Sequence, residues 1–316
     1  MKIGLQMYHF DWPGTPENTG PRLAEIARTA EKAGFSSFWI MDHLFQLGEP
    51  FGPVDAPLLD SYTALSYVAA VTNRIKLGAL VTNNILRHPG VLMKMVSSLD
   101  VLSGGRMYLG IGPGGMVERE IKGLGIPRPS LGERISRLEE TLMIFKHVWS
   151  RNRTPFHGKY FQLEEPICEP QPLSKPHPPI LIGMWRGGPR MLRLTARYAD
   201  ACNFQFGTAL DEWPDWLRVK YEEKREFIPD RLGRLRRLCE EEGRAFEEIE
   251  KTILGKIKLA PDAMSVEDVI ELCVEMRELG IEHVIFNMSN SHEIEPIEII
   301  GEEIIPQVSD LEACER

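Results

Sequence analysis

The sequence predicts an α/β protein of the (β/α)8 TIM-barrel class, and three observations predict it. Strand-like and helix-like segments alternate along all 316 residues, and eight strands are counted in that alternation. Strict alternation implies parallel strands joined by right-handed crossovers. No change of composition divides the chain, and α/β barrels of this length commonly form one domain. We therefore expect a single domain over residues 1–316, with an open doubly wound sheet as the alternative.

The predicted strands are short apolar runs rich in β-branched and aromatic residues. In order they span residues 3–8, 36–41, 75–81, 107–111, 180–184, 201–206, 253–259 and 283–287. The predicted helices of the repeat span residues 22–33, 62–72, 90–102, 191–198, 213–242, 266–279 and 294–305. Gly34 follows the first helix, where a glycine commonly ends a helix in the left-handed conformation.

A long insertion, at about residues 115–178, interrupts this rhythm between the fourth and fifth strands. It contains a predicted helix at 133–149 and a proline-rich segment at 165–179. An insertion after a barrel strand lies at the C-terminal mouth, where such loops form lids or substrate-binding walls. A packing extension or a contact between subunits is the alternative.

The composition favours a soluble cytosolic protein that does not bind nucleic acid. The net charge of −9 argues against nucleic acid as a partner, because phosphate contacts need clustered Lys and Arg. The basic stretch at Arg231–Arg237 reads as a solvated helix face, with an anion or partner contact as the alternative. The five cysteines are far apart in the sequence, and this spacing favours reduced thiols over a disulfide framework. Neither a signal peptide nor an apolar run of about 20 residues is found, so no membrane association is expected. Motifs for metal binding are also missing, so no metal is expected.

Polar and glycine residues that directly follow the strands are the candidate site, because the mouth of a barrel is built there. They are Asp42 and His43, then Asn83, Asn84 and Arg87, then Gly112–Gly115, Gly183–Arg190, Gln205 and Asn287. His43 is the best acid–base candidate, because imidazole titrates near neutral pH. A purely structural histidine is the alternative. Asp42 is expected to orient His43 or to contact a cofactor.

Two glycine-rich turns indicate close approach of the backbone to a ligand. Residues 178–190 read as strand, glycine-rich turn and helix, and this arrangement is typical of a phosphate clamp at a helix N-terminus. An ordinary left-handed turn is the alternative. Residues 110–115 match G-x-G-x-x-G, but they follow the fourth strand and contain Pro113. Approach to a flat ring system is the better interpretation of that turn.

Several blocks in this order resemble the luciferase-like monooxygenase superfamily, and within it the branch that uses coenzyme F420. They are Trp39-Ile40-Met41-Asp42-His43, residues 77–82, Arg87-His88-Pro89, Leu99-Asp100-Val101-Leu102-Ser103-Gly104-Gly105-Arg106, Gly110-Ile111-Gly112 and residues 196–200. The block at 99–106 is the most specific. The resemblance runs from Met1 to about Phe206 and is looser beyond it.

The resemblance implies a bacterial luciferase-like barrel that holds F420, an 8-hydroxy-5-deazaflavin, with FMN as the alternative cofactor. It places His43 beside the reactive edge of the ring, with Asp42 and Glu120 near it. Further implied contacts to the cofactor are Asn83, Asn84, Gly112, Gly183, Gly187, Gly188 and Arg190. In relatives a non-prolyl cis peptide follows the third strand, and here it would fall at Asn83–Asn84. The sequence departs from the family at Pro113–Met116 and at Trp185 and Arg186.

The implied function is hydride transfer between F420 and a small organic substrate, with His43 and Glu120 as the catalytic residues and a homodimer as the expected assembly. Three alternatives remain open at this point. They are an FMN-dependent monooxygenase that uses oxygen, a flavin-binding barrel without turnover, and a phosphate-binding isomerase or lyase.

Overall fold

The strands form one closed parallel barrel in a computed structural model that describes residues 1–48, 51–115, 118–185, 187–206 and 224–310. The strands in chain order are β1 (Lys2–Met7), β2 (Ser37–Ile40), β3 (Lys76–Ala79), β4 (Thr82–Asn83), β5 (Met107–Gly112), β6 (Phe156–His157), β7 (Gln162–Leu163), β8 (Ile180–Trp185), β9 (Ala201–Phe206), β10 (Glu250–Ile257) and β11 (His283–Met288). Around the barrel the order is β3-β2-β1-β11-β10-β9-β8-β5, and pairing of β3 with β5 closes the ring. The (β/α)8 prediction is therefore confirmed, and the open sheet is wrong.

Helices follow the barrel strands on the outside. In chain order they are α1 (Thr19–Lys32), α2 (Ser61–Val71), α3 (Pro89–Leu102), α4 (Glu118–Gly123), α5 (Leu131–Trp149), α6 (Pro189–Tyr198), α7 (Lys224–Glu241), α8 (Val266–Glu278), α9 (Glu295–Ile299) and α10 (Ile305–Val308). Sequence patterns predicted these helices to within a few residues, with three differences. The short helix α4 was not predicted. A π-helical turn at Ile300–Ile304 separates α9 from α10. The predicted helix at 213–242 lies partly outside the described residues.

The insertion is partly a packing element. Helix α5 buries one face against the barrel, including Leu138, Leu142 and Phe145, each fully buried. The antiparallel hairpin β6–β7 follows it. Helix α4, by contrast, turns a buried carboxylate toward the barrel mouth, as described below. The alternative, a packing extension, therefore describes α5, and the role of the insertion as a substrate-binding wall stays a prediction.

The barrel interior contains a buried tryptophan that a glycine on the neighbouring strand accommodates. Trp39 on β2 is fully buried, and a Cβ atom at Gly78 on β3 would collide with its ring. The residues packed with Trp39 include Leu181, Leu254 and Ile285 from β8, β10 and β11. This layer closes the barrel, so a ligand can reach only the mouth at the C-terminal ends of the strands.

Part of the basic stretch lies on an exposed face of α7, as expected for a solvated helix, but the Arg231 side chain is only 22% exposed and lies against Gly187. Arg231 and Arg234 pair with Asp230, and Arg236 pairs with Glu247 across to the next segment. Of the described helices, none is long and apolar enough to cross a membrane. Among the described residues, no cluster of three or more His, Cys, Asp or Glu is arranged to hold a metal ion.

A partly buried ion cluster joins strands at the N-terminal end of the barrel. Glu250 lies 2.8 Å from the Lys2 ammonium and 3.5 Å from His283 Nδ1, and the Tyr108 hydroxyl donates to it at 3.2 Å. Burial alone would raise the pKa of Glu250, but His283 and Lys2 outweigh burial and hold it at about 2. Ionised Glu250 therefore stabilises the fold above its unfolded pKa, and this contribution is lost as pH falls through the folded pKa.

We expect the melting temperature of the wild type to fall more steeply than that of Glu250→Gln as pH drops from about 5 to about 2. The neutral amide lacks the acid-sensitive contribution, so the two curves should converge at the acid end. Thermal melts across this pH range measure the effect. Glu240→Gln, at an exposed carboxylate on α7, is the control and should follow the wild type. Parallel curves for Glu250→Gln and the wild type would contradict the assignment.

Candidate active site

Asp42 is the buried acceptor that joins three elements at the barrel mouth. It directly follows β2, and its side chain is only 1% exposed. Its Oδ1 accepts a hydrogen bond from the Ser61 hydroxyl at 2.6 Å. Its Oδ2 accepts from the Asn83 backbone N–H at 2.9 Å and from Arg87 Nη1 at 2.8 Å. Asp42 therefore fixes the ends of β2 and β4 and the start of α2 relative to one another.

Arg87 carries the charge that balances Asp42. Its other terminal nitrogen donates to Asp60 at 2.5 Å, and its guanidinium lies 5.0 Å from the centre of the Tyr62 ring. Burial lowers the pKa of Arg87, but Asp42 and Asp60 outweigh it, and the net shift is upward. Asp60 also caps α2, accepting from the Thr63 backbone N–H. The cation is thus held between a buried and a partly exposed carboxylate.

His43 is oriented by Glu120 rather than by Asp42. The Nδ1 atom of His43 lies 3.1 Å from the Glu120 carboxylate, which is fully buried. The Leu44 and Phe45 backbone N–H groups also donate to Glu120, at 2.5 and 3.4 Å. Burial would raise the pKa of Glu120, but His43 and these N–H groups outweigh burial and lower it. A carboxylate only accepts, so His43 Nδ1 carries the proton and Nε2 is left for other partners.

Val81 lies across the mouth between two glycines on neighbouring strands. Its methyl group is 2.9 Å from the point that a Cβ would occupy at Gly112, and equally close at Gly183. The single non-prolyl cis peptide of the described residues is at Leu80–Val81. The prediction of a cis bond at Asn83–Asn84 was wrong, because β3 already ends at Ala79 and Asn83 lies within β4.

The two asparagines have different surroundings. Asn83 is engaged on both sides of its amide, donating to the Gly115 carbonyl at 3.3 Å and accepting from the Ile85 N–H at 3.0 Å. Asn84 is 3% exposed, and its Nδ2 atom has no hydrogen-bond partner among the described residues. A buried donor of this kind is normally satisfied, so Asn84 is the better candidate to contact a ligand.

The glycine-rich turn leads into α6 as predicted. Gly187 adopts φ +57°, and its N–H donates to the Met184 carbonyl at 2.7 Å. Gly188 occupies the N-cap of α6, which has no side-chain cap. Arg190 is exposed and donates to the Gly132 carbonyl and the Ser136 hydroxyl of α5 at 3.1 and 2.9 Å. The structure thus places Arg190 against the insertion, and the phosphate role of this turn stays a prediction. Arg186 lies outside the described residues.

Sequence reasoning missed three residues of this region. Gln6, whose Nε2 donates to the Leu80 carbonyl at 2.7 Å, lies within β1 rather than after it, so the strand-end rule did not select it. Asp60 and Ser61 start α2, and the pair Asp-Ser is an N-cap signal that the sequence does contain. No local signal indicated that Ser61 would donate to Asp42 or that Asp60 would share Arg87 with it.

The chain matches known proteins over most of its length. A family model described as luciferase-like monooxygenase matches residues 1–270. The F420-dependent glucose-6-phosphate dehydrogenase of Kineococcus radiotolerans is 31% identical over 242 residues, which are 76% of this chain and 64% of that protein. The enzyme of the same name from Nakamurella multipartita is 30% identical over 255 residues, 80% of this chain and 68% of that protein. The matched stretch therefore spans about two thirds of these relatives' length.

A solved structure gives the same picture of the fold. An F420-dependent secondary alcohol dehydrogenase in complex with an F420–acetone adduct superposes with a TM-score of 0.78 and 18% identity. The superposition covers 98% of this chain and 99% of that one. At this identity the likeness shows the fold alone.

Proposed function

Because the chain belongs to the luciferase-like monooxygenase family, we propose that it is an F420-dependent oxidoreductase that transfers a hydride between the coenzyme and an alcohol or carbonyl substrate. The observation that carries this proposal is the His43–Glu120 pair at the barrel mouth. The names of the two dehydrogenase relatives support both the coenzyme and the reaction type.

The residues at the mouth fit a flat heterocycle with a phosphate-bearing tail. The absence of a side chain at Gly112 and Gly183 lets Val81 lie across the mouth as a flat apolar surface, and Asn84 offers an unpartnered buried donor within the described part of the chain. The N-terminus of α6 at Gly188 is open, with nothing within 4 Å of the point a Cβ would occupy. Helix N-termini favour anions. We assign the ring of the cofactor to the surface at Val81 and Asn84, and its phosphate to the N-terminus of α6.

His43 handles the proton in this proposal. When bound, the deazaflavin supplies a carbon at C5 that carries the hydride. In alcohol oxidation the substrate C–H bond gives up the hydride, and His43 Nε2 takes the hydroxyl proton as the carbonyl forms. In the reverse direction the imidazolium returns that proton to the oxygen. Glu120 accepts from Nδ1 in both directions, so it stabilises the charged ring.

The experiment is a parallel titration of the purified protein with F420 and with FMN, followed by tryptophan fluorescence and cofactor absorbance. We expect F420 to bind at least about tenfold more tightly than FMN. Preferential FMN binding would favour the alternative, a monooxygenase that uses oxygen. If neither F420 nor FMN binds, both cofactor assignments are rejected and only the barrel fold remains supported.

A turnover screen follows the titration and separates an enzyme from a flavin-binding barrel. Alcohols, glucose-6-phosphate among them, are tested by the loss of oxidised F420 absorbance, and aldehydes with reduced F420 in the opposite direction. Binding without turnover of any compound would favour the non-catalytic alternative.

The assembly, the domain organisation and the location are part of the same proposal. We propose a homodimer in which residues 1–316 form one domain, and a cytoplasmic location. Sedimentation equilibrium tests the dimer, and limited proteolysis tests the single domain.

A further inference from the structure

Two buried side-chain amides form a short chain whose hydrogen-bond direction is fixed. The Leu80 backbone carbonyl can only accept, so Gln6 presents Nε2 to it, at 2.7 Å. The Gln6 Oε1 atom therefore faces Asn287, which donates Nδ2 to it at 2.8 Å. The order Asn287, Gln6, Leu80 is thus set by chemistry, and neither amide can be reversed without losing a bond.

This amide relay, defined as Asn287 and Gln6 acting on the Leu80 carbonyl, spans the top of the barrel interior. Gln6 and Asn287 are register partners on β1 and β11. They are 2% and 4% exposed, respectively. The relay ends at the residue before Val81, whose side chain lies between Gly112 and Gly183. The two amides therefore fix the carbonyl of the residue that precedes Val81.

Packing does not explain why residue 287 is an asparagine. Its single hydrogen bond among the described residues is the one to Gln6, and its Oδ1 atom has no partner there. A buried acceptor without a partner lowers stability, and a leucine of similar size would avoid that cost. The fold thus retains a residue that disfavours it, and this pattern is typical of a functional position.

We propose that Gln6 and Asn287 are positioning residues that set the Leu80–Val81 segment against the deazaflavin. This inference deepens the proposed function and rests on it. Neither residue is placed in contact with a reacting atom. Both act through the Leu80 carbonyl, so loss of either one releases the same segment.

The test is a double-mutant cycle with two readouts, F420 affinity and thermal stability of the protein without F420. The variants are Gln6→Leu, Asn287→Leu and the double variant. Each single change leaves a buried polar partner behind, so each should lower the melting temperature. The double variant removes both amides and should regain part of that loss. F420 affinity should fall by about tenfold or more in all three, without additivity.

The control is another buried pair in the barrel interior that does not reach Leu80. Asn203 donates to the Thr252 hydroxyl at 2.8 Å, and both residues are buried. The cycle of Asn203→Leu and Thr252→Val should show a similar pattern in stability. It should leave F420 affinity within about twofold of the wild type.

The possible outcomes distinguish failure of this inference from failure of the proposed function on which it rests. A wild type that does not bind F420 rejects the proposed function. A wild type that binds F420, with a double variant that binds equally well, rejects the amide relay alone. Recovery of F420 affinity together with stability in the double variant would show that the amides only support the fold, and would also overturn the inference.

Discussion

Replacing Asp42 with alanine is expected to destabilise the fold by about 3–5 kcal/mol, because it removes the buried partner of the Arg87 guanidinium. The Arg87 side chain is 10% exposed and Asp42 is its fully buried partner. The change also removes the acceptor of the Ser61 hydroxyl and of the Asn83 backbone N–H. Urea denaturation followed by circular dichroism measures the loss.

Asp60→Ala is the matched comparison, because Asp60 pairs with the same guanidinium from a partly exposed position. Its expected cost is about 1–2 kcal/mol, mostly from the lost cap of α2. Equal destabilisation by the two variants would mean that burial does not determine how much each carboxylate of Arg87 contributes to stability. F420 affinity should fall with Asp42→Ala, since the end of β4 loses its anchor, and should change little with Asp60→Ala.

Replacing His43 with alanine is expected to lower turnover by about 10²–10⁴-fold, the usual range for loss of a general acid–base group. The rate is measured on the best substrate of the turnover screen. F420 affinity should stay within a few-fold of the wild type, because the cofactor contacts are assigned to other residues. A His43→Ala variant with normal turnover and weak F420 binding would contradict the assignment and make His43 a binding residue.

Glu120→Gln provides the comparison for the role of the carboxylate. The amide keeps the size of the side chain but removes the charge that stabilises a protonated His43. Turnover should fall less than in His43→Ala, because the amide oxygen can still accept from Nδ1. Unchanged turnover would mean that Glu120 only holds the loop through the Leu44 and Phe45 N–H groups.

The fold could be predicted because strand and helix periodicity repeats eight times with short connections. Asp42 and His43 could also be predicted, since they follow a predicted strand and the mouth of a barrel is built from such positions. Gln6 could not be predicted, because its role depends on a carbonyl 74 residues away in the chain. No local pattern encodes a partner at that distance.

The errors at the third strand and in the insertion each have a physical cause. The run at 75–81 is apolar after Lys76, so its composition gives no sign that the strand breaks after Ala79. Helix α4 has six residues, too few to show a helical period. Glu120 was therefore placed by family resemblance, and its contact with His43 emerged only from the three-dimensional arrangement.

The location of Glu120 has a consequence for the redesign of this protein. The carboxylate that holds His43 lies on α4, inside the insertion that is predicted to wall the mouth. Exchanging the insertion for that of a relative to obtain a new substrate range would exchange the partner of His43 as well. Under the proposed function, substrate choice and proton chemistry would therefore change together. A graft designed to alter substrate choice should keep residues 118–123 unchanged and place its first junction after them.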